Sequence, residues 1–394
     1  MERIGIYGGT YNPPHIGHIQ AAKFAVEALN LQKLLMIPSC NPPHKTVAPG
    51  SPSPQQRLEM LNISLTGCEK IEVSDMELRR GGESYTYLTV EQLKGEYPEA
   101  ELVLCMGTDM FLSFETWREP QKILQNASLA VFCRGEKGEK AQIAQKKLQL
   151  EAMGAKVYVL ENPVINISST NLRRMLAFHC ADPFLPAGVG EYIRANDLYS
   201  VNADFKNLPM EQLEDVVISL LNPNRVRHVL GCRDTSAELA RIWNVDETDA
   251  ARAGMLHDIT KALDGPLQLT LCEQYGIMLG EFSRKNPKTL HAMTGALVAE
   301  RIFGENKAVV DAICSHTTGK GNMNTLEKII YVADYMEPNR DFPGVEELRY
   351  FAHTNIDKAL KLGLEMTLAV LKSQEREISP ESSEAIRYLE AQGV

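Results

Sequence analysis

The sequence has no run of eighteen consecutive apolar residues, and no basic stretch leads into a long apolar one at its start, MERIGIYGG. Neither a membrane-spanning helix nor a cleavable leader is therefore expected. Positive charge is also in deficit: 41 Lys and Arg stand against 51 Asp and Glu, a formal net charge of −10. Nucleic acids and anionic membranes gain nothing from a broadly acidic surface, so a general binder of either is excluded and any phosphate ligand needs a local site. Cysteine pairs are missing too. The 8 cysteines occur singly and never as C-x-x-C, which argues against zinc ribbons, thioredoxin-like motifs and a disulfide framework. Reduced thiols in a cytoplasmic protein are the expectation, and the N-I-S sequons at Asn62 and Asn166 then carry no sugar. Internal repeats and low-complexity tracts are absent as well.

What the chain has is length and apolar content. Its 394 residues are 44% hydrophobic, enough for two domains with separate cores. RIGIY at residues 3–7 reads as a strand, IQAAKFAVEAL as a helix and KLLMIPS as a strand, a βαβ unit. KIEVSDME, SYTYLTVEQLKGEYP, ELVLCMG, ASLAVFCR and AKVYVLE continue the pattern. They predict an α/β, doubly wound, mostly parallel sheet whose ligand lies beyond the carboxyl ends of the strands. Near residue 200 strand signals stop. MEQLEDVVISLL, RVRHVLGCRDTSAELARIW and TDAARAGMLHDITKAL are helical in period, so the second half is expected to be all-α. The polar NADFKNLP places the boundary at about residues 200–207, giving domains 1–203 and 204–394.

The densest chemistry of the first half is GGTYNPPHIGH, residues 8–18. A glycine pair after a first strand lets the backbone turn tightly and admits a phosphate near the amides that open the next helix. His15 and His18, one helical turn apart, can face one triphosphate, with Gly17 leaving room for the nucleotide. Nucleotidyl transfer needs reactants held in line and developing charge stabilised, which imidazoles, amides and bound magnesium supply. ISSTNLR adds Ser168, Ser169 and Thr170 at a helix N-terminus, with Arg173 one turn on, a second anion-binding device. A lone histidine near a helix start is more often a cap than a catalyst, but three hydroxyls plus an arginine exceed what capping needs.

Together with IPSCNPPHK, SYTYLTVEQL, MGTDMFLSFETWREP, FCRG and LPAGVGEYIRANDLY, these motifs cover about residues 1–200. That stretch resembles the nucleotidyltransferases with (H/T)-x-G-H and I-S-S-T-x-x-R motifs, and within them the nicotinate mononucleotide adenylyltransferases of NAD biosynthesis. The resemblance implies a Rossmann-like nucleotidyltransferase fold that makes nicotinate adenine dinucleotide and pyrophosphate from ATP and nicotinate mononucleotide, with Mg2+ balancing phosphate charge. It implies that His15 and His18 contact the ATP phosphates and stabilise the transition state, with Gly8, Gly9 and Thr10 beside the reacting phosphate. Ser168, Ser169, Thr170 and Arg173 would hold ATP, and Lys45 and Arg134 would add positive charge. Thr86 and Trp117 would frame the pyridine ring and Asp109 would hydrogen-bond ribose; the alternatives for Thr86 and Asp109 are a strand hydroxyl and a helix cap. Tyr11 and Asn12 stand where the family commonly has Phe and Asp or Asn. A related enzyme that adenylylates phosphopantetheine is the main rival, and Trp117 with SYTY favours the pyridine nucleotide.

The second half carries VRHVLG, LHDITK, LHAMTGA, CSHTTG and YVADYMEP. Of the 9 histidines, His228, His257, His291 and His316 fall in these segments, beside Asp258 and Asp334. Such a mixed set suits iron, manganese or zinc in an open site more than a closed structural one, and helices can bring distant ligands together in a bundle core. The adjacent His257-Asp258 pair, with a histidine upstream and an aspartate far downstream, resembles the HD-domain metal-dependent phosphohydrolases over about residues 207–394. That resemblance implies an all-α HD domain with one metal, iron or manganese, held by His228, His257, Asp258 and Asp334. His291 and His316 are available for a second metal bridged by Asp258, the residue at the centre of catalysis. ADYMEPNRDFPGVEELR is similar to the bacterial HD hydrolases that split diadenosine tetraphosphate into two ADP; in that reading Lys261 and Arg340 bind phosphates, against the alternative of solvated surface charge. Alternatives for this half are another nucleotide substrate or a nucleotide sensor without catalysis. The expected partners are ATP, nicotinate mononucleotide and diadenosine tetraphosphate, with no nucleic acid and no membrane; a homo-oligomer stays open.

Overall fold

The computed structural model describes residues 2–42, 50–135 and 138–394. The chain divides into two compact units, Met1–Asn202 and Ala203–Val394. In the first, β1 (Arg3–Gly9), β2 (Lys33–Pro38), β3 (Ile71–Val73), β4 (Glu101–Gly107), β5 (Ala127–Phe132) and β6 (Val157–Leu160) form one parallel sheet in the order β3-β2-β1-β4-β5-β6. Their sequences are nearly continuous apolar runs because both faces are covered. Ile4, Ile6, Leu102, Leu104, Leu129 and Val131 pack on one side with Val90, Phe111 and Ile123. Leu34, Met36, Val103, Cys105 and Ala130 pack on the other under Ala22 and Ala25 of the helix Ile16–Ala28.

The strand order reverses between β1 and β4, which pair from Arg3 with Glu101 to Tyr7 with Cys105. Connections leaving two such strands run to opposite faces of the sheet, so a crevice opens at their carboxyl ends. Two local expectations change. β1 continues through the glycine pair, held by Gly8 beside Ile37 and Gly9 beside Pro38 of β2, so the pair is strand and not turn. The left-handed residue is Tyr11, at φ 48°, whose hydroxyl donates to the Tyr7 carbonyl at 2.6 Å. Its ring is what requires a glycine at position 9: a Cβ there would stand 3.0 Å from the Tyr11 ring. SYTYLTVEQLKGEYP likewise turns helical, so Thr86 opens the helix Thr86–Glu96, with Thr89, Val90 and Leu93 buried on one face, and is no strand hydroxyl.

Every element of the second unit is helical. Leu239, Leu256, Val298, Phe303, Ile313, Ile329, Val332 and Leu364 are among its buried residues. The side chains of Asp246, Asn306 and Asn324 accept backbone N–H groups at the starts of Glu247–Leu256, Lys307–Ser315 and Thr325–Met336. Caps of this kind set where a helix begins, and so which residues fall at its far end. Those ends carry His257, His316 and Asp334. No helix among the described residues is long and apolar enough to cross a membrane.

Val226–Trp243 and Glu247–Leu256 pack through Gly254, where a Cβ would lie 2.9 Å from the Cys232 carbonyl oxygen and 3.0 Å from Arg233 Cα. Backbone cannot yield as a side chain can. Gly254→Ala is expected to cost the second unit roughly 1–3 kcal/mol, seen as a lower urea midpoint at unchanged slope; an unmoved midpoint would mean the two helices separate freely.

Candidate active sites

A cleft of about 1040 Å³ lies beyond the carboxyl ends of β1 and β4. Gly8, Gly9, Thr10, His15, His18, Thr86, Trp117, Arg134, Ser168, Ser169, Thr170 and Arg173 all line it. Asp109 is outside that lining and is tied to it by an exposed ion pair with Arg134 at 2.6 Å. Lys45 lies outside the described residues.

His15 caps the helix Ile16–Ala28. Its Nδ1 accepts the His18 backbone N–H at 3.3 Å, and His18 Nδ1 accepts the His15 N–H at 3.2 Å, two imidazoles doing the work of a capping box. A ring nitrogen that accepts carries no proton, so each neutral ring holds its proton on Nε2. The rings stack with centroids 3.5 Å apart, which keeps the two Nε2–H edges together. Gly17 makes room for that stack more directly than for a ligand, since a Cβ there would meet His15 Nδ1 at 3.0 Å. Burial pushes the His15 pKa down to about 4, so this donor is uncharged at neutral pH.

Each polar side chain of ISSTNLR has a protein partner, and of these only Ser168 caps the helix. Ser168 accepts the Asn171 N–H at 3.1 Å, Ser169 donates to the Pro13 carbonyl at 3.0 Å, and Arg173 donates to the Asn12 carbonyl at 2.7 Å and to Thr170 Oγ1 at 3.2 Å. Asn171 Oδ1 accepts from Arg174 at 2.7 Å. The motif therefore clamps the loop before His15, and the helix N-terminus at Ser168 to Thr170 is what it offers to an anion. Two residues that sequence reasoning missed complete the clamp. Arg57 is buried and donates to the carbonyls of Thr10 and Ser39, each at 2.6 Å, and the Tyr199 hydroxyl donates to Asn12 Oδ1 at 2.6 Å.

In the second unit His228, His257, Asp258, His291, His316 and Asp334 converge from the ends of five helices. The Nδ1–H groups of His257, His291 and His316 donate to the carbonyls of Gly254, Lys288 and Ile313, each at 2.7 Å. That of His228 donates to the Glu337 carboxylate at 3.1 Å. Those oxygens can only accept, so the Nδ1 atoms of His257, His291 and His316 hold the proton and their Nε2 atoms present lone pairs, whereas His228 has a carboxylate at each nitrogen, Glu337 at Nδ1 and Asp334 at Nε2. The Nε2 atoms of His228 and His257 face each other at 3.2 Å, as do those of His291 and His316. Asp258 sits between the pairs. Its Oδ2 is 3.6 and 3.4 Å from His228 and His257, and its Oδ1 is 3.4 and 3.8 Å from His291 and His316. Asp334 Oδ1 is 3.1 Å from His228 Nε2.

The facing Nε2 lone pairs of His291 and His316 repel each other, and those of His257, His291 and His316 also lie 3.4–3.8 Å from the oxygens of the buried Asp258 carboxylate. Both costs vanish when a cation lies between the donors, so this set fits divalent metal. Burial drives the His257 and His291 pKa values well below the ordinary 6.5, and that of His316 to about 4, which keeps their Nε2 atoms free to ligate. Lys261 and Arg340, expected at phosphates, stand against the two aspartates: Lys261 Nζ is 3.0 Å from Asp258 Oδ1 and Arg340 is 2.7 Å from Asp334 Oδ1. Arg225 pairs with Asp258 beside them. Sequence reasoning missed Arg225, Glu337 and Cys232; the only signal for the last is its place one turn beyond His228.

Residues 6–175 match the cytidylyltransferase-like family model and residues 225–339 the HD domain model. Over 198 residues the chain is 37% identical to a "Probable nicotinate-nucleotide adenylyltransferase" of Borreliella afzelii, covering 50% of this chain and 96% of that protein. The chain belongs to the nicotinate-nucleotide adenylyltransferase family. A "Probable nicotinate-nucleotide adenylyltransferase/Ap4A hydrolase" of Mycoplasma pneumoniae is 27% identical over 381 residues, 94% of this chain and 99% of that one. Among solved structures, a "predicted HD superfamily hydrolase involved in NAD metabolism" from Clostridium acetobutylicum shares 36% identity over 47% of this chain and 98% of its own, with a TM-score of 0.46. The adenylyltransferase match falls in the first unit and the HD domain in the second, and the Mycoplasma relative spans both.

The adenylyltransferase unit carries an acid-sensitive cap. With a folded-state pKa of about 4 against an ordinary 6.5, His15 binds fewer protons folded than unfolded. Its contribution is therefore complete above pH 6.5 and is lost as pH falls toward 4. At pH 5 that loss is about 2 kcal/mol. In His15→Asn, where asparagine still caps the helix, urea titrations at pH 7 and pH 5 should lack this component; an equal loss in both proteins would place the acid sensitivity elsewhere.

Proposed function

We propose that the first unit transfers the adenylyl group of ATP to nicotinate mononucleotide and that the second hydrolyses diadenosine tetraphosphate to two ADP. The observation that carries this reading is the opposite tautomer of the two histidine sets, Nε2–H donors along the cleft of the first unit and converging Nε2 lone pairs in the second. Eight free thiols suit a cytoplasmic enzyme.

In the first unit a phosphate oxygen of the mononucleotide attacks the α-phosphorus of ATP. One P–O bond forms as the bond to the β-phosphate breaks, and pyrophosphate leaves. No proton need move, so the residues have only to hold the reactants in line and meet the charge. His15 and His18 donate Nε2–H to phosphate oxygens, the Ser168–Thr170 helix end offers amides, and Ser169 and Arg173 keep the loop before His15 in place. Gly8, Gly9 and Thr10 leave space at the end of β1, where nothing lies within 4 Å of a Cβ placed on Gly8. Arg134 and Lys45 add positive charge, with Asp109 orienting Arg134 or meeting ribose. Thr86 and Trp117 frame the pyridine ring. Magnesium accompanying ATP would offset the triphosphate charge.

In the second unit His228, His257, Asp258 and Asp334 would hold one ion and His291, His316 and the shared Asp258 a second, iron or manganese. Such a pair supplies water activation and neutralisation of the phosphate under attack. The chain's part is orientation: three backbone carbonyls and Glu337 aim the imidazoles, and Arg225, Lys261 and Arg340 draw in the phosphates. One water adds across the central phosphoanhydride, and two ADP result.

Given ATP and nicotinate mononucleotide, the protein is expected to release nicotinate adenine dinucleotide and pyrophosphate in equal amounts. His18→Ala should lower kcat/KM at least about 100-fold. Preference for phosphopantetheine would overturn the first half. Given diadenosine tetraphosphate with iron(II) or manganese, chromatography should show ADP alone, lost in Asp258→Ala. ATP plus AMP would mean another cleavage geometry, and nucleotide binding without turnover would mark a sensor.

Glu337→Gln keeps the shape of the group behind His228 and removes its charge. Cobalt(II) affinity by equilibrium dialysis is expected to fall about 10–100-fold; unchanged affinity would show that packing alone aims His228.

A further inference from the structure

Cys232 is one buried group that this chemistry does not use. It lies one turn beyond His228 on the helix Val226–Trp243, 1% exposed, with Sγ 3.6 Å from His228 Nε2. Its other partner, the Ala333 carbonyl, is 3.9 Å away, near the outer limit for a thiol donor. Burial alone would explain a cysteine here, as it explains Cys105, Cys180 and Cys272. What sets Cys232 apart is its company. Sγ, a ring nitrogen each of His228 and His257, and an Asp334 carboxylate oxygen all lie within 4.8 Å of one another.

Two ligands of one tetrahedral ion, bound at about 2.0–2.3 Å, stand roughly 3.3–3.7 Å apart. The separations here scatter about that range: 3.6 Å from Sγ to His228 Nε2, 3.2 Å between the two Nε2 atoms, and 3.1 and 3.9 Å from Asp334 Oδ1 to His228 and His257 Nε2. Among the described residues no cysteine joins the other half of the cluster: His291 and His316 meet Asp258 Oδ1 and the Thr317 hydroxyl, 3.1 Å from both Nε2 atoms.

We propose that Cys232 is a ligand of the first metal position, so that the two positions differ in kind. The first has two imidazoles, the Asp334 and shared Asp258 carboxylates and a thiolate; the second has only nitrogen and oxygen donors. The inference rests on the reading of this cluster as a metal site. As the ion binds, the thiol releases its proton to solvent and a sulfur–metal bond forms, with no change of oxidation state. A thiolate favours zinc or cobalt(II) over manganese, which suits the second position.

The test uses the full chain, stripped of metal and titrated with cobalt(II). The wild-type protein is expected to develop visible ligand-field bands together with a near-ultraviolet thiolate-to-cobalt charge-transfer band. Cys232→Ser should keep the former and lose the latter, and Cys272→Ser, which alters a buried thiol outside the cluster, should keep both. Visible bands without the charge-transfer band in the wild-type protein, or a charge-transfer band that survives in Cys232→Ser, would overturn thiolate ligation and leave the metal reading standing. No cobalt band of either kind would overturn both. The wild-type spectrum decides the matter even if the serine variant fails to fold.

Discussion

A neutral histidine offers one proton and one lone pair from different nitrogens, and whatever binds Nδ1 settles which of them Nε2 presents. Helix ends supply the binding group. The first turn of a helix has backbone N–H groups without partners, and the last has carbonyls without partners. His15 caps a helix start, so its Nδ1 accepts and its Nε2 becomes a donor. His257 and His316 follow helix ends, so their Nδ1 atoms donate to the carbonyls of Gly254 and Ile313 and their Nε2 atoms present lone pairs. On the proposed reading one residue type serves phosphate in one unit and metal in the other, and for these three histidines the difference comes from which end of a helix each occupies. His228 and His291 stand near helix starts and need another device: the Nδ1 of His228 faces the buried Glu337 carboxylate, and that of His291 donates to the Lys288 carbonyl in the turn before Leu290–Arg301.

The dependence runs back to packing. Gly254 provides the carbonyl that orients His257 and also permits the approach of Val226–Trp243, the helix that carries His228 and Cys232. In the first unit, Arg57 and Arg173 reach the carbonyls of Thr10 and Asn12, so the loop between β1 and His15 is held from outside the motif that it contains. Buried guanidinium groups with several carbonyl acceptors are stiff supports, because each lost bond would leave a buried charge short of partners.

These supports explain what could and could not be read from the sequence. Apolar runs such as ELVLCMG and helical periods such as VRHVLGCRDTSAELARIW announce their elements, because burial of a face imposes the period. The six residues that converge in the second unit are legible too, since the His257-Asp258 pair and its partners sit in segments of helical period. Long-range partners leave no local trace. The hydrogen bond from Ser169 to Pro13 spans 156 positions, and nothing within ISSTNLR distinguishes a hydroxyl that holds a neighbouring loop from one that meets a ligand. Glycine is ambiguous for a related reason. It permits a left-handed turn, but it also permits a ring to lie against the backbone, and at Gly9 the ring of Tyr11 is the cause. Arg57 and Cys232 look like a solvated charge and a scattered thiol until the fold shows what they face.

Charge then sets what the second site can retain. Asp258, Asp334 and Glu337 supply three negative charges, and Arg225, Lys261 and Arg340 three positive ones around them, so the polar cluster is balanced by itself. Two divalent ions would leave it four charges positive, or three once Cys232 has given up its proton. Water screens such an excess poorly around side chains as buried as Asp258 and His316, so the excess must be met by a ligand. A single carboxylate would leave most of it uncompensated, whereas a tetraphosphate carries one negative charge on each of its four phosphates and offsets it in full.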